Sequence, residues 1–216
     1  EADSPRHVAC LLTQVEVDED DPAFQNPSKP IGTFYDAEEA QHLGEELGWL
    51  MKEDAGRGWR HVVPSPAPRH ICDISLVQAL ARRGTVVIAG GGGGIPVIRH
   101  AKGVREGVYA VIDKDHTSAL MASVLGIEVM MILTGVPKVA IHFGTDEETT
   151  LDQVTLDELK TLVDEGQFPA GSMGPKIDAA IGFLEGGGKR VIITSLELAM
   201  AALHGEAGTH VVVNYE

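Results

Sequence analysis

The sequence has few cysteines and few long apolar runs, and each shortage excludes a class of protein. Two cysteines, Cys10 and Cys72, are too few for a disulfide framework and lack metal-ligand spacing, so we expect two reduced, buried thiols. No apolar run reaches the roughly 18 residues that a membrane-spanning helix needs. The first residues also lack the basic segment and apolar core of a secretory signal. These absences predict a cytoplasmic protein without a membrane anchor.

Basic residues are also scarce, with 17 Lys and Arg against 32 Asp and Glu and a formal net charge of −15. A field of this sign repels nucleic acids and anionic membranes, so we expect neither as a partner. The same field repels ATP. Any phosphate site must therefore concentrate local positive charge and backbone N–H groups, which makes the position of each lysine informative.

Alternating helical and strand patterns predict an α/β protein. The N-terminal part is expected to contain a buried strand over Val8–Val15, a proline-rich irregular segment over 21–33, and a helix that opens with a capping box at Asp36 and Glu39. A second capping box, Thr155 and Glu158, opens a later helix. From Ile74 onward, helices and strands alternate, as in a parallel or mixed sheet. The predicted strands here are 85–89, 108–112, 127–133, 190–194 and 210–213, and the predicted helices are 76–82, 117–125, 155–163, 176–184 and 196–203.

Five consecutive glycines, Gly90–Gly94, follow an apolar strand and could cradle a phosphate, because glycine lets backbone N–H groups approach a ligand. A P-loop would require Gly-Lys-Ser/Thr after the run, and a dinucleotide fingerprint would require a further glycine near Pro96. Neither pattern is present. The alternative is a tight turn between strand and helix with nothing bound.

Three lysines occupy unusual positions. Lys114, within Asp113-Lys-Asp115, lies just before one predicted helix, and Lys176, after Gly171-Ser-Met-Gly-Pro175, begins another. At a helix N-terminus a cation opposes the helix dipole unless an anion is bound. Asp115 could instead serve only as the helix cap. Lys29 lies between two prolines, which suits a rigidly presented cation, although an ordinary surface lysine is the alternative. The nine histidines contain no HExxH pair, so we predict no metal-ligating residues.

Several segments, in this order, resemble carbamate kinases of the amino acid kinase superfamily. These segments are Asp21-Pro-Ala-Phe24, Asn26-Pro-Ser-Lys-Pro-Ile-Gly32, Phe34-Tyr35, Val62-Val-Pro-Ser-Pro66, the glycine run with Ile95-Pro96-Val97, Asp113-Lys-Asp115 and Gly171-Ser-Met-Gly-Pro-Lys176. The resemblance implies a three-layer α/β/α sandwich with a mostly parallel central sheet and a small protruding lid subdomain. It also implies an acceptor lobe over 1–103, with the lid at about 19–62, and a nucleotide-binding lobe over 104–216.

The same resemblance implies reversible phosphoryl transfer between ATP and carbamate, with ATP or ADP and Mg²⁺ as cofactors and a cytoplasmic homodimer as the assembly. Lys29, Lys114 and Lys176 would contact the transferring phosphoryl group, and Asp115 would position the lysines. Gly91, Gly92, Gly93 and Gly94 would bind carbamate or the phosphoryl group. The nucleotide contacts would be Asp113, Thr134, Gly135, Val136, Met173 and Gly174.

The sequence departs from the family pattern in two places. The family's glycine-rich phosphate-binding segments near its N-terminus have no counterpart here, so we expect a shortened chain. In the nucleotide lobe, Pro137 and Ala140 stand near the positions where relatives carry an aspartate and a tyrosine. Two alternatives therefore remain: a kinase of the same superfamily that acts on another small acid, and a non-catalytic kinase-fold module with a dimerising or regulatory role.

Overall fold

The computed structural model describes residues 6–54, 56–168 and 172–215, and the chain divides into two units, Glu1–Thr117 and Ser118–Glu216. Both units combine helices and strands, as expected for the predicted α/β class. The assignment of an acceptor lobe and a nucleotide lobe to parts of the chain stays a prediction. Among the described residues, no helix has the length and apolar content needed to cross a bilayer.

The first unit contains nine strands and two helices among its described residues. The strands are β1 Val8–Cys10, β2 Gln14–Val17, β3 Lys29–Tyr35, β4 Met51–Glu53, β5 Trp59–Val63, β6 Pro68–Ile71, β7 Val86–Ile88, β8 Ile95–Arg99 and β9 Arg105–Gly107. The helices are α1 Ala37–Leu47 and α2 Ile74–Arg82. A mixed sheet of order β6-β2-β8-β9 carries the core, where Val15, Ile71 and Val97 are buried.

A smaller antiparallel sheet of order β3-β5-β4, together with α1, occupies the region predicted as the lid. Asp36 caps α1: its carboxylate accepts from the backbone N–H of Glu39, and the Glu39 side chain accepts from the N–H of Asp36. This reciprocal pair confirms the predicted capping box. The segment predicted as ordered but irregular is a regular strand from Lys29 onward, because β3 begins there and pairs with β5.

The strands of the second unit are β10 Val129–Thr134, β11 Ala140–Ile141, β12 Thr149–Thr150, β13 Gln153–Thr155, β14 Arg190–Ser195 and β15 Thr209–Val212. Four of them form a sheet of order β10-β14-β15-β13, in which β10 and β14 are parallel, and β11 pairs with β12 in a separate sheet. Helix α3, Lys114–Leu125, leads into it, followed by α4 Leu156–Asp164, α5 Gly174–Glu185 and α6 Ala199–Leu203. Helix α5 is its central packing element, with Ile177, Ala180 and Phe183 fully buried.

Three expectations about the first unit are wrong. The predicted strand Val8–Val15 is divided into β1 and β2, which belong to different sheets, because the Thr13 hydroxyl donates to the Leu11 carbonyl and interrupts the ladder. Residues 108–112 form no strand, since their backbone N–H groups bond to separate segments at Pro96 and Pro64. Of the two free thiols, Cys72 is buried but Cys10 is exposed.

Candidate active site

The residues around the start of α3 form a fixed, charged turn. Asp113 and Asp115 are each 7% exposed, and Thr117 is fully buried. The Asp113 carboxylate oxygen Oδ1 accepts from the backbone N–H of Asp115 at 2.8 Å, the geometry of a helix cap. Lys114 Nζ donates to Asp115 Oδ1 at 2.8 Å. Asp113 therefore caps α3, and Asp115, the cap considered from sequence, holds the Lys114 ammonium instead.

Lys29 reaches this turn from β3. Its Nζ lies 2.5 Å from Asp113 Oδ2, and the two side chains are 32% and 10% exposed, respectively. Burial alone would raise the pKa of Asp113, but the hydrogen bond from Lys29 and the N–H of Asp115 outweigh it, so its pKa lies below the ordinary value. Asp113 is therefore a carboxylate at neutral pH. Two lysine–aspartate pairs consequently stand side by side at the start of α3.

The glycine run connects β7 to β8 and packs against the same turn. The Thr117 hydroxyl donates to the Gly93 carbonyl at 2.8 Å, and the N–H of Gly90 donates to the Thr13 hydroxyl at the same distance. Gly92 and Gly93 have φ of 68° and 98°, in the region that favours glycine. A Cβ at Gly93 would lie 2.0 Å from the Ile112 carbonyl oxygen, whereas a Cβ at Gly91 or Gly92 would meet nothing within 4 Å.

These distances separate two roles within the run. Gly93 is required by the fold, because no side chain fits between it and Ile112. At Gly91 and Gly92 the space above the backbone is open. A ligand could approach the main chain closely at these two positions. The substrate-binding role of Gly91, Gly92, Gly93 and Gly94 stays a prediction.

The backbone that carries Lys29 is held by two residues that were not predicted as part of the site, Lys52 and Arg60. Lys52 Nζ donates to the Pro27 carbonyl at 2.7 Å, and the Arg60 guanidinium donates to the Gly32 carbonyl at 2.9 Å. The N–H of Ser28 donates to the Val63 carbonyl at 3.2 Å. No sequence pattern marks Lys52 or Arg60, since both act across 25 or more positions on plain carbonyl groups. The flanking prolines and these bonds together fix the position of Lys29.

The remaining predicted residues lie in the second unit. Thr134 ends β10, opposite Ser195 at the end of β14, and Gly135 and Val136 follow it. Met173, Gly174 and Lys176 lie at the start of α5, while Gly171 falls outside the described residues. Because α5 leads back into β14 through a short turn, it runs antiparallel to that strand, and its start lies toward the end of the sheet where Thr134 is.

The structure thus assembles Lys29, Asp113, Lys114, Asp115 and the glycine run within the first unit. In the second unit, Thr134, Gly135 and Val136 lie at and after the end of β10, and Met173, Gly174 and Lys176 lie at the start of α5. The predicted action of Lys176 on the same phosphoryl group as Lys29 and Lys114 stays a prediction. Among residues 6–54, 56–168 and 172–215, no group of three or more His, Cys, Asp or Glu side chains could hold a metal ion.

Comparison with known proteins identifies the family. The model of the Amino acid kinase family matches residues 29–195. A carbamate kinase from Pyrococcus furiosus is 50% identical over 206 residues, which cover 95% of this chain and 65% of that protein. The chain therefore spans just under two thirds of the length of this curated relative.

Solved structures agree. The carbamate kinase from Giardia lamblia bound to citric acid superposes with a TM-score of 0.89 at 43% identity. The match covers 95% of this chain and 65% of the Giardia chain. The same enzyme bound to AMP-PNP gives 0.83 at 44% identity, with coverage of 96% and 66%. The predicted resemblance to carbamate kinases and the predicted α/β fold are confirmed. The chain belongs to the amino acid kinase family.

Proposed function

We propose that this protein is a carbamate kinase, which reversibly transfers a phosphoryl group from carbamoyl phosphate to ADP and so forms carbamate and ATP. The observation that carries the proposal is the pair of ammonium groups, Lys29 and Lys114, each held by a buried aspartate beside an open glycine turn. In a chain of net charge −15, a cationic centre of this kind is suited to an anionic substrate. The carbamate kinases among its relatives support the choice of reaction.

The chemistry requires charge stabilisation more than covalent participation. The bond between phosphorus and the carbamate oxygen breaks, carbamate leaves as its carboxylate, and a terminal oxygen of ADP forms the new bond to phosphorus. Negative charge spreads over the three equatorial oxygens of the transferring group. An ammonium carries three N–H donors, so Lys29 can keep its aspartate and still bind phosphoryl oxygens. No nucleophilic side chain is needed.

The first turn of α3 adds to this stabilisation. Lys114 is the first residue of a helix of 12 residues, and the positive end of the helix dipole favours an anion there. A phosphoryl group bound by the lysine would therefore also lie near the positive end of the helix. The exposed backbone at Gly91 and Gly92 is suited to the same group or to the carbamate.

ATP and ADP are the expected nucleotides, and we propose that Mg²⁺ arrives with them. Mg²⁺ in such sites is held by substrate phosphates and one or two carboxylates rather than by an all-protein cage. Asp113 and Asp115 already hold lysines, so the nucleotide phosphates would supply most of the oxygen ligands. The metal would neutralise phosphate charge, while the lysines orient the transferring group. The proposed homodimer and cytoplasmic location rest on the resemblance to the family.

The test measures ATP formation from ADP and carbamoyl phosphate with Mg²⁺, beside acetyl phosphate as the alternative donor. We expect ATP from carbamoyl phosphate at a kcat/KM at least about tenfold above that for acetyl phosphate. A preference for acetyl phosphate would favour a kinase for another small acid. A folded protein that binds ADP but makes no ATP from either donor would favour the non-catalytic module.

A further inference from the structure

Asp113 makes a contact that the sequence did not predict. The resemblance to carbamate kinases assigns it to the nucleotide, but its Oδ2 accepts from Lys29 Nζ at 2.5 Å across 84 positions of the chain. The bond joins the first residue of β3 to the cap of α3. Of the two groups, the aspartate is the more buried.

The Asp113 carboxylate is held rigidly. Its Oδ1 accepts from the N–H of Asp115, and its own carbonyl accepts from the N–H of Thr117 at 3.1 Å. With one oxygen committed to the cap and the side chain buried, the other oxygen has a fixed direction. A lysine side chain is a flexible stem of four carbons, so it loses much conformational entropy when it is ordered. The rigid partner therefore determines where the flexible one lies.

Lys29 keeps the capacity to act while it is held. One of its three donors serves Asp113, and about a third of the side chain remains exposed. The ammonium does not have to leave Asp113 to contact a phosphoryl oxygen. Asp113 also keeps Lys29 near the Lys114–Asp115 pair, because Asp113, Lys114 and Asp115 are consecutive residues at the start of α3.

We propose that Asp113 is a positioning residue for Lys29: it places the ammonium for phosphoryl transfer and has no main role in nucleotide binding. This inference rests on the proposed function, since it assigns Asp113 a part in that reaction. It predicts that Asp113 affects turnover only through Lys29. A nucleotide ligand would instead change the KM for ADP, and a purely structural cap would change stability alone.

A double-mutant cycle separates these roles. Asp113→Asn keeps an oxygen acceptor for the N–H of Asp115 but removes the charge that holds Lys29, and Lys29→Met removes the ammonium while keeping the length of the chain. We expect Asp113→Asn to lower kcat by about 10- to 100-fold with the KM for ADP unchanged. In the Lys29→Met background, the same substitution should lower kcat by less than about twofold.

Two kinetic outcomes would overturn the proposal. Equal losses in both backgrounds would mean that Asp113 acts independently of Lys29. A higher KM for ADP, with kcat unchanged, would return Asp113 to the nucleotide.

The same double-mutant cycle can be measured on the equilibrium constant of unfolding, which does not require the protein to be active. The effect of the double substitution should differ from the product of the single effects by about three- to tenfold, because each single change leaves a partner without its ion pair. If the effect of the double substitution on the unfolding equilibrium equalled the product of the two single effects, Asp113 and Lys29 would not be coupled and the ion pair would be excluded. If the wild-type protein made no ATP from carbamoyl phosphate while this coupling was present, the proposed function would fail and the ion pair would stand.

Discussion

The glycine run offers a prediction that can be worked out position by position, because neighbouring glycines face different surroundings. Gly91 has ordinary backbone angles and open space, Gly92 has a φ of 68° and open space, and Gly93 has a φ of 98° and no space. Alanine should therefore meet neither cost at Gly91, backbone strain alone at Gly92, and both backbone strain and a steric clash at Gly93.

The expected costs follow from these differences. At Gly91, alanine should be neutral or stabilise by up to about 1 kcal/mol, because it restricts the unfolded chain. At Gly92, the left-handed backbone should cost about 1 to 2 kcal/mol. At Gly93, strain and overpacking against the Ile112 carbonyl each cost about 1 to 3 kcal/mol, so the loss should lie between about 2 and 6 kcal/mol.

Urea unfolding followed by tryptophan fluorescence measures these costs where they arise, since both tryptophans, Trp49 and Trp59, lie in the first unit. The test is the order of stabilities, with Gly91→Ala as the matched control. If Gly93→Ala were as stable as Gly92→Ala, the close approach to Ile112 would be wrong. If the run also binds substrate, Gly91→Ala should raise the KM for carbamoyl phosphate without loss of stability.

Two further predictions concern the small sheet that carries Lys29. Lys52→Met removes the hydrogen bond to the Pro27 carbonyl and should lower kcat about tenfold with a stability change below about 1 kcal/mol, measured beside the exposed control Lys102→Met. His61 stacks on Trp49 at 4.5 Å, and burial lowers its pKa below the ordinary 6.5. Stability that depends on neutral His61 is therefore present above pH 6.5 and lost as pH falls through its folded pKa, so His61→Phe should flatten this part of the pH dependence of urea unfolding. If the stability of the wild type and of His61→Phe fell equally steeply below pH 6.5, the role given to neutral His61 would be contradicted.

Local signals in the sequence predicted local structure well. Both capping boxes, at Asp36 and Thr155, form as expected, because each depends on residues three positions apart. The helices predicted to start at Thr117 and Lys176 begin three and two residues earlier, at Lys114 in α3 and Gly174 in α5. Glycine and proline signals marked the connections between these elements.

Long-range contacts could not be read in the same way. Nothing near Asp113 or Lys29 indicates that they pair, because their contact depends on how β3 is held against the start of α3. The apolar run from Val8 predicted one strand, and the break at Thr13 depends on a hydroxyl that also serves Gly90. The resemblance to carbamate kinases supplied the roles of the lysines, which composition and spacing alone left open.

The most direct test of the proposed chemistry compares turnover of carbamoyl phosphate and ADP in the wild type, Lys29→Met, Lys114→Met and Lys102→Met. The first two substitutions remove an ammonium from the candidate site, whereas Lys102 is exposed in the loop between β8 and β9. We predict that kcat falls by about 100- to 1,000-fold in the Lys29 and Lys114 variants, with Lys102→Met equal to the wild type. Full turnover in a folded Lys29 or Lys114 variant would contradict a role for that ammonium in stabilising the transferring phosphoryl group.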